Sequence, residues 1–172
     1  MAILDSLLEF GDAYSVATAA GTNLMTNQID LSAAGIDVGQ GHPLWLVINV
    51  DTAIVTGGSA GTLHFRLVSD DTASIHATTC SIHLESPRFV TDDDPTIPVG
   101  TQLCCYALPI CNDYVSKSVA GAFVTSASPG GRYERYLGVQ AIVTTTTITA
   151  GKVNAFLTFD PHGWRSYADA TN

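Results

Sequence analysis

Charged side chains are scarce in this chain of 172 residues. They make up 13% of the sequence, about half the usual fraction of roughly 25%. Sixteen acidic residues stand against seven basic ones, which leaves a formal net charge of -9. Because that charge repels phosphate polyanions and anionic membrane surfaces, we expect neither nucleic acid nor a membrane as a partner. The surface must instead consist of small polar and apolar residues, a composition common where much of it faces other protein.

Long apolar runs and export signals are also missing. No run of about 20 apolar residues could span a bilayer, and the start of the chain carries Asp5 and Glu9 but no basic region. The sequence therefore predicts neither a membrane span nor a signal peptide. The length predicts one domain of about 150 residues. We place it at 13–160, between an N-terminal arm at 1–12 and a C-terminal arm at 161–172.

No pattern typical of a metal site or of a catalytic centre occurs. The four cysteines fit no zinc ribbon or C-x-x-C pair, and free thiols pack as small apolar groups in a reducing compartment. The five histidines form no His-x-His pair with an acidic ligand close behind. Ser59 stands in a G-x-S-x-G sequence, but a strand pattern follows it where a nucleophile elbow needs a helix. We expect no metal, no cofactor and no enzymatic activity.

Helical periodicity is confined to the first ten residues, where an amphipathic turn or two ends by Gly11. The rest reads as short strands separated by Gly, Pro, Asn and Asp. The predicted strands are 13–19, 24–31, 44–52, 62–69, 74–85, 101–108, 133–147 and 152–159. The segments 86–99 and 112–131 are predicted to be long surface loops. Eight strands with almost no helix predict an all-β fold, an antiparallel jelly roll or two-sheet β-sandwich with a short N-terminal helical or extended arm.

Three groups of side chains are candidates for contacts with other proteins. The leucine-rich start could anchor the chain to a partner or pack on its own sheet. Arginine and tyrosine, which are enriched in interface cores, cluster between Gly131 and Val139, where a cross-strand ion pair is the alternative. Aromatic residues after the last strand could dock on their own domain or on a neighbour. The candidate contacts are Leu4, Leu7, Leu8 and Phe10, then Arg132, Tyr133 and Arg135, then Trp164 and Tyr167.

Short stretches scattered in order along most of the chain carry a resemblance to a known family. They are 7–10 (LLEF), 12–13 (DA), 29–31 (IDL), 39–44 (GQGHPL), 49–53 (NVDTA), 65–71 (FRLVSDD), 134–139 (ERYLGV) and 149–151 (TAG). Together they resemble the Bbp16 family of tailed-phage capsid cement proteins. None of these is a chemical motif, so their order carries the resemblance. In 86–99 and 112–131 the chain is longer than the family pattern.

The resemblance implies a jelly roll, made in the bacterial cytoplasm, that binds the outer surface of an assembled icosahedral phage head. There it would clamp neighbouring copies of the major capsid protein, as a homodimer, and stabilise the shell against the packaged DNA. The alternative function is a carbohydrate- or receptor-binding domain of a phage tail or spike. That alternative requires an exposed aromatic platform, and Trp45 and Trp164 are the only tryptophans. Trp45 lies in the most apolar predicted strand and is expected in the core.

Overall fold

The structure is a computed structural model that describes residues 6–31, 43–56, 61–91, 96–108, 116–119, 122–124 and 133–161. These residues form a 3-10 turn, Ser6–Leu8, and twelve strands. The strands are β1 Glu9–Ser15, β2 Gly21–Leu24, β3 Ile29–Asp30, β4 Trp45–Thr56, β5 Gly61–Asp70, β6 Ser81–Glu85, β7 Phe89–Thr91, β8 Gln102–Ala107, β9 Ser116–Val119, β10 Ala122–Val124, β11 Tyr136–Thr144 and β12 Ile148–Thr158. In this described part, no helix is long and apolar enough to cross a membrane.

The strands form two antiparallel sheets. Sheet A has the order β1-β12-β4-β8, and sheet B has the order β10-β9-β6-β5-β11-β2, with β3 beside β11 and β7 beside β5. The eight main strands are β1, β2, β4, β5, β6, β8, β11 and β12. If these eight strands are numbered 1 to 8 along the chain, sheet A contains strands 1, 8, 3 and 6, in that spatial order. Sheet B contains strands 2, 7, 4 and 5, also in spatial order. This alternation between sheets is the jelly-roll arrangement, and it confirms the predicted fold class.

Most predicted strands are confirmed as elements, but the predictions at 24–31 and 74–85 are wrong in part, and several other boundaries are wrong. The segment 24–31 contains two short strands, β2 and β3, because residues 25–28 between them form a bend in which the Gln28 side chain bonds the carbonyls of Met25 and Thr26. In 74–85 only β6 is a strand, because the residues before it cross the outer face of sheet B.

β1 begins at Glu9, which pairs with Phe156 of β12, so residues 9–12 belong to sheet A and not to an arm. The predicted loop at 86–99 contains β7, which pairs with β5. The predicted loop at 112–131 contains β9 and β10, and this hairpin extends sheet B beyond β6.

Alternating apolar residues build the core between the two sheets. Leu63, Phe65 and Leu67 of β5 are fully buried there, as their spacing predicts. Side chains of this size each contribute about 1.5–3 kcal/mol when fully buried. Trp45, expected in the core, is only half-buried because it lies at the start of β4. Phe159, the last residue of the predicted strand 152–159, is 61% exposed because β12 ends at Thr158.

A second, smaller cluster covers the outer face of sheet B. Ile75 and Cys80, from the segment after β5, pack there against Val68 and Ile82. The approach is close at Gly138 of β11, where an added Cβ would lie 2.6 Å from Cδ1 of Ile75. Because glycine has no Cβ, it allows the covering segment to pack closely on the sheet at this position.

Candidate contact surface

Two large apolar side chains are exposed together at one end of the sandwich. Leu7 is 64% exposed and Phe159 is 61% exposed, the highest values among the large apolar side chains of the described residues. Phe156 of β12 pairs with Glu9, and β12 ends two residues later. Leu7 and Phe159 therefore lie at the same end of sheet A. We call this area, defined by Leu7, Glu9, Asn27, Asp30 and Phe159, the Leu7 surface.

The residues that follow Leu7 pack on their own domain, whereas the Leu7 side chain faces solvent. Phe10 is fully buried in the core, and Leu8 packs against that core. The carbonyl of Phe10 accepts a hydrogen bond of 3.0 Å from the amide of Asn27. The start of the chain is thus fixed to its own domain through Phe10, while Leu7 is left outside.

A groove of about 620 Å³ adjoins Leu7. The side-chain amide of Gln28 donates to the carbonyls of Met25 and Thr26, at 2.9 and 3.3 Å, and so stiffens one wall. The groove combines apolar, amide and carboxylate groups. The lining residues are Ser6, Leu7, Glu9, Thr26, Asn27, Gln28, Ile29 and Asp30.

The two carboxylates of the groove differ in their electrostatic surroundings. Asp30 accepts two hydrogen bonds from Arg135, at 3.1 and 2.8 Å, in a bidentate ion pair. These hydrogen bonds and the charge of Asp30 raise the pKa of Arg135, whose guanidinium also lies 4.9 Å from the ring centre of Tyr136. Burial, and then the nearby charge of Asp12, raise the pKa of Glu9. Glu9 forms no ion pair with any other described residue.

The predicted contact residues separate into three groups. Leu4, Arg132, Trp164 and Tyr167 lie outside the described residues. Phe10 is a core residue, and Leu8 is partly buried against the core, which is the alternative that the sequence left open for the leucine-rich start. Tyr133 is half-buried, with its ring 4.4 Å from that of His83. Among these candidates, only Leu7 and Arg135 combine a described position with substantial exposure. Leu7 lines the groove, and Arg135 pairs with Asp30, which also lines it.

A family model named Bbp16 matches residues 10–109, more than half of the chain of 172 residues. The chain belongs to the Bbp16 family. No curated protein matches it. The Bbp16 match includes the groove wall from Thr26 to Asp30 and the whole of β8, whereas Leu7 and Arg135 lie outside the matched region.

In this Bbp16 family member, Ser69, His83 and Glu134 form a buried polar network that could be mistaken for a catalytic triad. The Ser69 hydroxyl lies 2.7 Å from Nε2 of His83 and 3.3 Å from Oε2 of Glu134, and it accepts a bond of 3.0 Å from the Glu134 amide. A triad needs the carboxylate on the histidine and a hydroxyl that substrate can reach. Here the carboxylate binds the serine, which is 0% exposed. The arrangement is that of a structural network.

The hydrogen bonds of Ser69 also define the state of His83. Burial lowers the pKa of His83 to about 4, so the ring is neutral at pH 7. If Ser69 donates to Glu134 and accepts from the Glu134 amide, its remaining acceptor position takes an N–H from Nε2 of His83. Ser69 then uses its one donor and both acceptor positions. This tautomer also leaves His83 with no base function toward Ser69.

The remaining titratable groups form no metal site in the described part of the chain, where no three His, Cys, Asp or Glu side chains come close enough to hold an ion. His64, 2% exposed, lies 3.5 Å from Glu85, which also pairs with Arg66 at 3.0 Å. Burial lowers the pKa of His64 despite the opposing effect of Glu85. Of the cysteines, Cys80 and Cys104 are buried free thiols and Cys105 is half-buried, and burial raises the pKa of Cys104 to about 12.

Sequence reasoning missed the groove wall. Asn27 and Gln28 fell inside one long predicted strand, and Asp30 was only part of the family resemblance. One signal was present, because Asp30 is a charged residue inside a predicted strand. A partly buried carboxylate requires a partner, and the chain has only seven basic residues that could supply an ion pair. That partner, Arg135, is 105 residues away in the sequence, and local patterns do not indicate it.

Proposed function

We propose that this protein is a capsid cement protein of a tailed phage, which binds the outside of the head and clamps neighbouring copies of the major capsid protein. Membership of the Bbp16 family supports a phage origin. The net charge of -9 supports a position on the outer surface, because the inner surface faces packaged DNA. The protein acts as a homodimer in this proposal and needs no cofactor.

The observation that carries the proposal is the Leu7 surface. Leu7 and Glu9 line one groove, and the exposed Phe159 follows β12 at the same end of sheet A. Among the described residues, no cation pairs with Glu9. Such an apolar area with a polar rim is typical of a protein contact. We assign the groove to an extended segment of the major capsid protein, with Glu9 receiving a basic side chain and Leu7 covered by apolar groups.

Cementing needs only modest free energy at each site. A fully buried leucine contributes about 1.5–3 kcal/mol. Leu7 is already one-third covered, being 64% exposed, so its burial against the shell adds about 1–2 kcal/mol. A clamp holds two neighbouring subunits at once, so it binds the assembled shell more tightly than free subunits. The free energies gained at the many sites of the shell add together.

The test is the binding of purified protein to empty mature capsids, with Leu7→Ser compared with the native chain. The substitution should weaken binding about 5- to 30-fold and leave the melting temperature unchanged, since Leu7 is mostly exposed. Val55→Ser is the matched control: Val55 is 38% exposed and lies ten residues along β4 from Trp45, about 30 Å from the Leu7 end. It should bind as the native chain does.

Two results would count against the proposal. Native affinity of the Leu7→Ser protein would remove the Leu7 surface as the anchor. Failure of the native chain to bind capsids, together with binding to host glycans or host cells, would favour the carbohydrate- or receptor-binding alternative. A point substitution is preferable to deleting residues 1–10, because that deletion would also remove Phe10 from the core.

A further inference from the structure

Among the residues that the structure describes, the outer edge of β8 is an unprotected sheet edge. β8 is the last strand of sheet A, and within the described residues only β4 pairs with it. Its sequence, QLCCYA, contains no charge and no proline, which are the usual protections of an edge strand. Exposed sheet edges of this kind are templates for pairing with another strand.

The opposite edge of sheet A is protected in the expected ways. β1 has two register shifts against β12, and Ala13 has a positive φ of 47°, so the edge is irregular. It also carries Glu9 and Asp12. The contrast between β1 and β8 indicates that β8 is the edge open to pairing.

The hydrogen bonds to β4 show which backbone groups of β8 face outward. The Leu108 amide donates to the Leu44 carbonyl at 2.8 Å, so this opposed pair is a hydrogen-bonded pair. Such pairs alternate along an antiparallel ladder, and Tyr106 opposite Leu46 is therefore the next one. The N–H and C=O groups of Cys105 and Ala107 then point away from β4.

We infer that β8 pairs with β8 of a second copy, antiparallel, with the two-fold axis at Tyr106. A two-fold axis at position 106 places Cys105 of each copy opposite Ala107 of the other. Because the backbone N–H and C=O groups of both residues point outward, each such pair would exchange two hydrogen bonds. The two four-stranded sheets A would become one continuous sheet.

Two further observations favour a second copy over another strand. Tyr106 is 37% exposed, and at the axis it would face its own counterpart in a close, non-hydrogen-bonded pair, where aromatic residues stabilise a sheet. β8 carries no charged side chain, so pairing there places no like charges of the two acidic copies directly opposite each other. This contact locates the homodimer of the proposed function. Its test uses the isolated protein, so failure of the pairing and failure of capsid binding are distinguishable.

Disulfide trapping of Ala107→Cys tests the register. In the proposed pairing, positions 105 and 107 of different copies are a hydrogen-bonded pair with Cα atoms about 5.5 Å apart, within disulfide range. Mild oxidation should give a covalent dimer, with a peptide map showing the link between positions 105 and 107. The native chain should give no such dimer through Cys105, because the two Cys105 residues would be diagonal neighbours about 7–8 Å apart. The double variant Ala107→Cys with Cys105→Ser is the control and should stay unlinked.

Ala107→Pro tests the hydrogen bonds. Proline removes the outward N–H of position 107 and leaves the ladder to β4 intact. By symmetry two intermolecular bonds are lost, and dimer affinity in sedimentation equilibrium should fall roughly 10-fold or more. Ala107→Ser keeps the N–H and should dimerise like the native chain. The inference is overturned if Ala107→Pro folds and dimerises normally, or if oxidised Ala107→Cys stays monomeric or is linked elsewhere.

Discussion

Acid should destabilise this fold through His83. The imidazole is 2% exposed, and burial lowers its pKa from 6.5 to about 4. Between those two values the unfolded chain binds a proton that the folded chain does not. The free energy of unfolding therefore falls as the pH drops below about 6.5, and the effect levels off below about 4.

The size of the effect follows from the two pKa values. The contribution of His83 is small at pH 7, reaches about 2 kcal/mol at pH 5 and approaches about 3 kcal/mol at pH 4. That is a large part of the stability of an ordinary domain, about 5–15 kcal/mol. His64 acts in the same direction, since burial also lowers its pKa.

Urea unfolding followed by circular dichroism, at several pH values between 7 and 4.5, measures this contribution. His83→Gln removes the titrating ring while its amide can still donate to Ser69. The difference in unfolding free energy between the native and His83→Gln proteins isolates His83 from every other titrating group. Between pH 7 and pH 4.5, the free energy of unfolding of the native chain should fall by about 2 kcal/mol or more beyond the fall measured for His83→Gln.

Substitution of an exposed histidine is the control. His76 is exposed in the segment that covers sheet B, and His76→Gln keeps His83 and the acid sensitivity that depends on it. If the difference between the native and His83→Gln proteins is the same at pH 7 and pH 4.5, the assignment of acid sensitivity to His83 is wrong.

Three further predictions concern the packing of the sandwich. Gly151→Ala should lower the free energy of unfolding by about 2–4 kcal/mol in urea titrations, because φ is +138° there and a new Cβ would lie 2.9 Å from Cα of Ile54. Ser86→Ala should cost about 1–3 kcal/mol in the same assay, since the Ser86 hydroxyl accepts the buried amide of Phe65 at 2.9 Å. In native-state alkylation at pH 8 with peptide mapping, Cys104 should react far more slowly than Cys105, because burial raises the pKa of Cys104 to about 12.

Side-chain alternation made most of the jelly roll predictable from the sequence. The pattern in β5 identified which residues face the core, because strand geometry puts alternate side chains on opposite faces. The start of the chain was harder: helical spacing of its leucines suggested a turn up to Gly11. The burial of Phe10 and the pairing of Glu9 with Phe156 outweigh that local preference and begin the strand at Glu9.

The contact surface was only half predictable. Leu7 was a candidate as part of the leucine-rich start, and Arg135 as part of the cluster of arginine and tyrosine between Gly131 and Val139. Asp30 was not a candidate, because its role depends on Arg135, and a register between β3 and β11 brings the two segments together. The network of His83 depends on a register shift between β5 and β6, at which Leu67 pairs with Leu84 and Val68 with Ile82. Such bulges re-aim side chains, and the sequence pattern does not show where they occur.

A three-dimensional map of the native virus particle is the most direct test of the cement proposal. The proposal predicts density for this jelly roll on the outer surface of the head, bridging neighbouring major capsid subunits, with the Leu7 surface against the shell. A map that places the chain in the tail, inside the shell, or nowhere on the particle would contradict it.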